Sequence, residues 1–451
     1  MRDSQQEKFA RMTTEPVETL VLKLSVPTII SMLVTSIYNM ADTFFVGRIN
    51  TSATAAVGVV FSLMAIIQAF GFMFGHGSGN YISRALGRQD TQDAQRMAAT
   101  GFFSSFAFGL LITVLGYIFL EPLGKLLGAT DTSLPYVKEY MQYILLGAPF
   151  MTSSFTLNNQ LRFQGSATLA MVGITTGGLL NVALDPIFIF VLDFGVSGAA
   201  IATVISQFIG FCILVAATFA KGNLRISPRA FSMSFRYYKE IFLIGCPSLL
   251  RQGLASVATV SLNSTAGMYG DAAVAGMSVV GRIMMFAFSA LIGYGQGFQP
   301  ICGFNFGAKL YDRIERTFWF CIKTAAIVLT GLSALGFVFA PQLVSLFRND
   351  PAVIEIGTSA LRAQCVTFPL CTWIVFSNMM TQNLHQTYSA MLLATARQGL
   401  FFIPVVLVLP HICGTMGLVI SQSISDILTF AVALPIQLSV LKRLRNGQIQ
   451  G

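Results

Sequence analysis

The stretch LSVPTIISMLVTSIYNMADTFFVG, residues 24–47, decides how this chain is read. It is apolar over a length that can cross a bilayer, yet it carries Asp42 near its end. A surface loop holds an aspartate at little cost, whereas a carboxylate in hydrocarbon is expensive and usually faces an interior cavity. The fold therefore turns on whether the rest of the chain looks like a membrane protein.

It does. Of 451 residues, 54% are hydrophobic and 10% charged, against about 25% charged in an ordinary soluble domain. Apolar runs of spanning length recur at 22–46, 55–83, 97–120, 139–161, 168–192, 196–220, 240–268, 273–302, 317–340, 354–381, 388–410 and 415–440. Each exceeds the roughly 20 residues a helix needs to cross the hydrocarbon core. Their period is helical, which excludes an outer-membrane barrel. The expected fold is an all-α polytopic membrane protein with 12 transmembrane helices. No cleavable signal peptide is expected, because the first 20 residues are too polar.

The basic residues orient the spans. With the N-terminus inside, 19 of the 28 Lys and Arg residues flank the cytoplasmic ends and five flank the other side. This bias predicts both termini in the cytoplasm of a bacterial plasma membrane. The net charge of +9 is thus a topology signal; no basic-aromatic platform for nucleic acid is present. The seven cysteines form no CxxC pair and read as packed thiols.

The chain repeats itself at an offset near 220. Pro27 pairs with Pro247, Gly75, Gly77 and Gly87 with Gly295, Gly297 and Gly307, Pro149 with Pro369, and Asn158 with Asn378. Later Gly195, Gly198 and Ser206 pair with Gly414, Gly417 and Ser425 at an offset of 219. Six helices per unit predict two bundles, residues 1–220 and 240–451, joined by a cytoplasmic linker at 221–239. A pseudo-two-fold axis along the membrane normal would relate them, with a cleft between them that rocking opens to either side.

Three carboxylates fall within spans: Asp42, Asp185 and Asp426. Tyr38 and Asp42 share one helix face, as do Asn181 and Asp185 in "LLNVALDP", and Ala199, Thr203 and Gln207 in "GAAIATVISQ". These faces offer hard oxygen ligands, suited to a proton or a hard cation. Asp42 and Asp185 correspond in the repeat to Leu262 and Val405, so these acids exist in the first half alone. A plain alternative is that Asp42 pairs with Arg48 at the interface. Asp426 is expected to pair with Arg397, Arg251 or Arg282. His76, among glycines in "GFMFGHGSGN", is either a relay group or part of a close helix contact.

With "GGLLNVALDPIFIF" (177–190) and "GVSGAAIATVISQ" (195–207) added to the opening stretch, nearly the whole chain resembles transporters of the multidrug and toxic compound extrusion family. It is similar to the bacterial branch with coupling acids in the N-terminal bundle. That resemblance implies antiport of amphipathic organic cations against protons or sodium ions. It implies Asp42 and Asp185 as coupling acids, with Asn181, Thr203 and the Ala199 carbonyl completing the ion site. Na⁺ would sit among Asp42, Asn181, Asp185 and Thr203. Tyr38 and Asn158 would belong to its polar surroundings, and Pro27 to a bend in the first helix.

A substrate cleft is expected to draw on Phe150, Met151, Phe155, Gln160, Gln164, Met285, Asn378 and Met380, since a soft lining with a few amides suits flat hydrophobic cations. No organic cofactor is expected, and with no Walker motif or nucleophile–base cluster the reading is neither an ATPase nor an enzyme. A monomer would suffice. The rival reading is a lipid-linked precursor flippase, which would favour a strongly cationic cleft.

Overall fold

A computed structural model of the chain describes residues 2–46, 48–49 and 51–449, without the side chains of 2–4, 43 and 51–55. Gly47, which closes the quoted stretch, and residues 1, 450 and 451 at the expected domain limits lie outside it. So does the side chain of Arg2, one of the basic residues counted above.

The described residues fold into helices. In the first half these are α1 (Arg2–Thr14), α2 (Val17–Val46), α3 (Thr51–Gly87), α4 (Thr91–Ile118), α5 (Leu120–Leu126), α6 (Leu134–Phe163), α7 (Ala167–Pro186) and α8 (Gly195–Thr218). The second half has α9 (Phe235–Gly267), α10 (Asp271–Gly307), α11 (Tyr311–Val338), α12 (Ala340–Phe347), α13 (Pro351–Thr367), α14 (Leu370–Asn383), α15 (Thr387–Thr395), α16 (Ile403–Cys413) and α17 (Thr415–Arg445). Two π-helical turns intervene, Ile187–Val191 after α7 and Ala396–Phe402 between α15 and α16.

Among the described residues ten helices are long and apolar enough to cross a membrane, or eleven if α13 and α14 count as one span bent by 57°. The protein is therefore a multi-pass α-helical membrane protein. Every expected segment is largely helical, with 354–381 divided between α13 and α14 and 388–410 running through α15, the π-helical turn and α16, but the one at 139–161 differs in composition. Its helix α6 has 30 residues, about 45 Å at the helical rise. Its second half, with "TSSFTLNNQLRF", is too polar to look like a lipid-facing span, and most of it is buried among other helices.

Proline acts differently in the two halves. Pro149 lies inside an unbroken α6, while its counterpart Pro369 separates α13 from α14. The expected linker is shortened, because α9 begins at Phe235. Its first part is docked: Asn223 and Leu224 are buried, and the Leu224 amide donates to Gln164 Oε1 at 2.8 Å.

Residues one repeat apart occupy matching settings. Asn158 Nδ2 donates to the Ala170 carbonyl at 2.9 Å, and Asn378 Nδ2 to the Ala390 carbonyl at 2.9 Å. Gly195 and Gly414 both have positive φ, 52° and 61°, before the last helix of each half. The short helices α5 and α12 also stand about 220 residues apart.

The halves meet where α3 packs on α9 and α10 on α2. At one end of the molecule α3 crosses α10 so closely that Gly87 and Gly307, equivalents in the repeat, lie against each other. A Cβ on either would stand 3.0 Å from the other's Cα and 2.1–2.2 Å from a carbonyl oxygen of the facing helix. Only glycine permits that approach. The same end carries Arg84–Glu240 (3.1 Å) and Asn80 Nδ2 to Asn383 Oδ1 (2.7 Å); nearer the middle of α10, Thr28 Oγ1 donates to the Gly293 carbonyl at 2.6 Å. Further along the seam, Ser36 and Ser289 hydroxyls are 2.8 Å apart.

Helix α1 lies across this same end. Lys8 Nζ donates to Ser166 Oγ, the Gly222 carbonyl and Asn223 Oδ1, all in the first half. On the other side Asn305 of α10 donates to the Met12 carbonyl at 3.2 Å, and Arg313 of α11 donates to the carbonyl of Glu15 just beyond α1.

Candidate functional site

Three helices of the first half bring the polar face together. Helices α2 and α8 both pack on α7, and Gly178 on α7 leaves the room in which the Tyr38 ring sits, 3.2 Å from where a Cβ would be. Asp185 is completely buried and accepts a 3.1 Å hydrogen bond at Oδ1 from Asn181 Nδ2. The same amide nitrogen lies 3.3 Å from Thr203 Oγ1 on α8. Asp42, only 8% exposed, comes within electrostatic reach of Asp185. Pro186 follows directly, and its missing N–H leaves the Val182 carbonyl without the usual helical donor. The π-helical turn begins there, a distortion that often marks functional sites.

Among the described residues several oxygens of this group have no hydrogen-bond partner although they are buried: Asp42 Oδ1, Asp185 Oδ2 and Asn181 Oδ1. Buried oxygens are normally satisfied, so each exception requires an explanation. An acceptor-rich pocket short of donors is what a proton or a hard cation would complete. The donor set is thus chemically suited to Na⁺ as well as to H⁺. Among the described residues no group of three or more His, Cys, Asp or Glu side chains gathers as a metal site.

The Tyr140 hydroxyl of α6 belongs here too. It is fully buried, approaches Thr203 without a standard hydrogen bond, and feels both Asp42 and Asp185. Sequence reasoning missed it, because nothing in "VKEYMQY" relates its register to α2 or α7. A turn or more along the same helices is a small cavity bordered by Thr35, Tyr38, Ser154, Phe155 and Gln207 and floored by glycines of α7 and α8. Gln207 is where the third polar face predicts it.

The pairing of Asp42 with Arg48 is not formed. The Arg48 guanidinium instead lies over the Phe44 ring, 4.6 Å from its centre. Asn158 is also displaced from its expected role. It fastens α6 to α7 and stands 18 residues beyond Tyr140 on the same helix, about 27 Å away. The Ala199 carbonyl lies in the regular part of α8, one turn before Thr203, where the backbone N–H four residues on uses it. Helix α2 runs unbroken through Pro27.

The expected cleft residues separate into groups. Gln160 donates to Ser78 Oγ and the Ala98 carbonyl, both at 3.0 Å, and Gln164 holds the linker. Met380 is fully buried beside Gln437, and Met151 is packed in the first-half core. Asn378 is committed to the Ala390 carbonyl. In this arrangement Gln160, Gln164, Met151 and Met380 are held among packed helices, while the Asn378 amide oxygen faces Arg251. Phe155 borders the cavity just described, Phe150 joins an aromatic cluster with Phe106, Phe208 and Phe211, and Met285 is 47% exposed.

Asp426 is paired with Arg397 at 2.8 Å and also accepts from Gln422 at 2.9 Å. It is structural in this arrangement. His76 is buried between Phe72 and Arg162: Nδ1 is 3.1 Å from the Phe72 carbonyl and Nε2 is 3.3 Å from an Arg162 nitrogen.

A multi-pass helical protein with an acceptor-rich pocket in one half has the architecture of an ion-coupled membrane transporter. The MatE family model matches this chain twice, over residues 27–187 and 247–408. The chain belongs to that family, and so to a group of transporters rather than enzymes. It is 28% identical to the multidrug export protein MepA of Staphylococcus haemolyticus over 426 residues, 94% of each chain. It is 27% identical to MepA of Staphylococcus aureus over 437 residues, 96% of each. Among solved structures it is similar to an outward-facing multidrug resistance MATE family transporter of the MOP superfamily. That match has 27% identity and a TM-score of 0.91 over 97% of this chain and 98% of the other.

Proposed function

We infer that the protein is a secondary active multidrug transporter that exchanges small amphipathic organic cations for protons or sodium ions by alternating access. The observation that carries this reading is the set of buried, partnerless oxygens on Asp42, Asp185 and Asn181 in a chain of the MatE family. Such a pocket gains an ion at little cost in packing, and its ion affinity changes when α2 shifts against α7 and α8. Differential affinity between two orientations is what coupling requires.

Two six-helix bundles, 1–220 and 240–451, would be related by an axis through the Gly87–Gly307 crossing. The doubled family match, the matching Asn158 and Asn378 bonds and the self-meeting glycines support this reading. So does α6 as a twelfth span. The seam at the α1 end, taken as cytoplasmic from the basic flanks, is what an outward-open state would keep closed. A single chain carries both halves of the cleft, so a monomer would act alone in a bacterial plasma membrane.

The test is gradient-driven efflux by purified protein in sealed vesicles, normalised to inserted protein. Asp42→Asn and Asp185→Asn each remove an exchangeable proton and a full charge while keeping shape. Each is expected to insert normally and to lose at least about tenfold in transport. The double variant should be far less than additively worse, because the two acids act as one unit. Arg48→Ala should be mild. Near-normal transport by both single variants would remove these acids as the coupling pair.

A further inference from the structure

The seam between the halves contains a second charged group that the coupling site does not use. Arg162, at the end of α6, is 1% exposed. Its Nη2 lies 2.6 Å from Asn159 Oδ1, 3.3 Å from Gln299 Oε1 on α10 and 3.3 Å from His76 Nε2. Its Nε has no partner among the described residues. Arg251 of α9 comes within electrostatic reach of both Arg162 and His76 and, among the described residues, its side chain hydrogen-bonds to the Asn378 amide oxygen at 3.4 Å.

The partners are neutral. Among the described residues neither arginine forms an ion pair, and no carboxylate lies within electrostatic reach of either. Arg397, by contrast, has Asp426. An uncompensated guanidinium inside a membrane protein is costly, and here two of them share one region without a counter-charge. The Asn159, Gln299 and Asn378 amide oxygens accept from them, which satisfies hydrogen bonds but leaves both charges unbalanced.

We propose that Arg162 and Arg251 form a site for a phosphate-type anionic group at the seam between the two halves. Guanidinium forks match the oxygens of such a group in pairs. His76 and the Asn159, Gln299 and Asn378 amides complete its surroundings. The group comes either from a free anion or from an anionic lipid headgroup. Because the site is built from α3, α6, α9, α10 and α14, occupancy holds the two halves together at this level.

The test measures Tm of delipidated protein in a neutral detergent at fixed ionic strength. Inorganic phosphate is titrated in one arm. Short-chain phosphatidylglycerol is titrated in another, against phosphatidylcholine as the control. The expected result is a saturable rise of about 3 °C or more in one arm, absent from Arg162→Gln and Arg251→Gln. A rise with inorganic phosphate assigns a free anion; a rise with phosphatidylglycerol alone assigns the headgroup. Should Arg162→Gln not yield folded protein, Arg251→Gln carries the comparison. No saturable rise in either arm, or a rise that persists in the variants, overturns the proposal.

Discussion

Asp426 and Asp42 show how little a residue's identity says about its task. Both are nearly buried carboxylates, and both were visible in the sequence as acids within apolar runs. Asp426 is answered by Arg397 and Gln422, while Asp42 has an oxygen with no donor among the described residues. The difference is tertiary: Arg397 reaches Asp426 from 29 residues away, on the π-helical turn before α16. Removing one member of a buried pair leaves the other's charge uncompensated, at a cost of about 3–5 kcal/mol. Asp426→Asn is therefore expected to lower Tm strongly, and Arg397→Gln likewise. The double variant Asp426→Asn with Arg397→Gln should recover much of the loss. Melting curves of the three purified variants check this, and an additive double variant would contradict it.

Elements were legible in proportion to how apolar they are. Each span was readable from its run of hydrophobic residues, since lipid requires them, and the faces of Tyr38–Asp42 and Asn181–Asp185 followed from helical spacing. What was not legible depended on packing between segments. Tyr140 and the cavity beside Gln207 belong to the site only because α6 meets α8. Gln160 and Gln164 looked like cleft residues because their partners, Ser78 and Leu224, are far off in sequence. Helix α1, too polar for a span, escaped notice altogether, yet it ties both halves at one end.

The tie made by α1 is sensitive to pH. Lys8 is partly withdrawn from water among neutral oxygens and stands beside Arg11, and these two causes push its amine down to about 7. Unfolded, the amine keeps an ordinary value near 10.5. Between these values the unfolded chain binds the proton that the folded one has shed, so stability rises with pH across that window. Below about 7 the cost of the buried charge is fully present. The Tm of the wild type should therefore rise by a few degrees more than that of Lys8→Gln between pH 7 and 9, relative to pH 6. Equal slopes in the two proteins would show that Lys8 stays charged in the fold.

At the scale of the whole molecule, the proposed alternating access would require the seam between α3, α9, α10 and α2 to open. Its contacts at the α1 end are short and specific, among them Asn80 to Asn383 at 2.7 Å. Replacing both with cysteine places two thiols across the seam. The exposed native thiols, Cys212 and Cys413, would first be changed to serine. A short bis-methanethiosulfonate reagent should then stop gradient-driven efflux almost completely, and reductant should restore it. Either single cysteine should be unaffected by the reagent. Transport that survives complete cross-linking would mean that the halves do not separate here.

The crossing of Gly87 on Gly307 has one more consequence. A residue that meets its own counterpart is the arrangement found at the centre of a symmetric dimer, where one surface patch faces a second copy of itself. In this chain the two copies are joined by a stretch that includes exposed residues between Arg229 and Arg236. The join then sets stoichiometry rather than creating the contact. Two separate polypeptides, one ending and one beginning between Phe231 and Ser234, should still find each other through the α3–α9 and α10–α2 faces. Co-expressed fragments are expected to co-purify as a one-to-one pair, and Gly87→Val, which puts a branched side chain where a Cβ already has no room, should abolish their association.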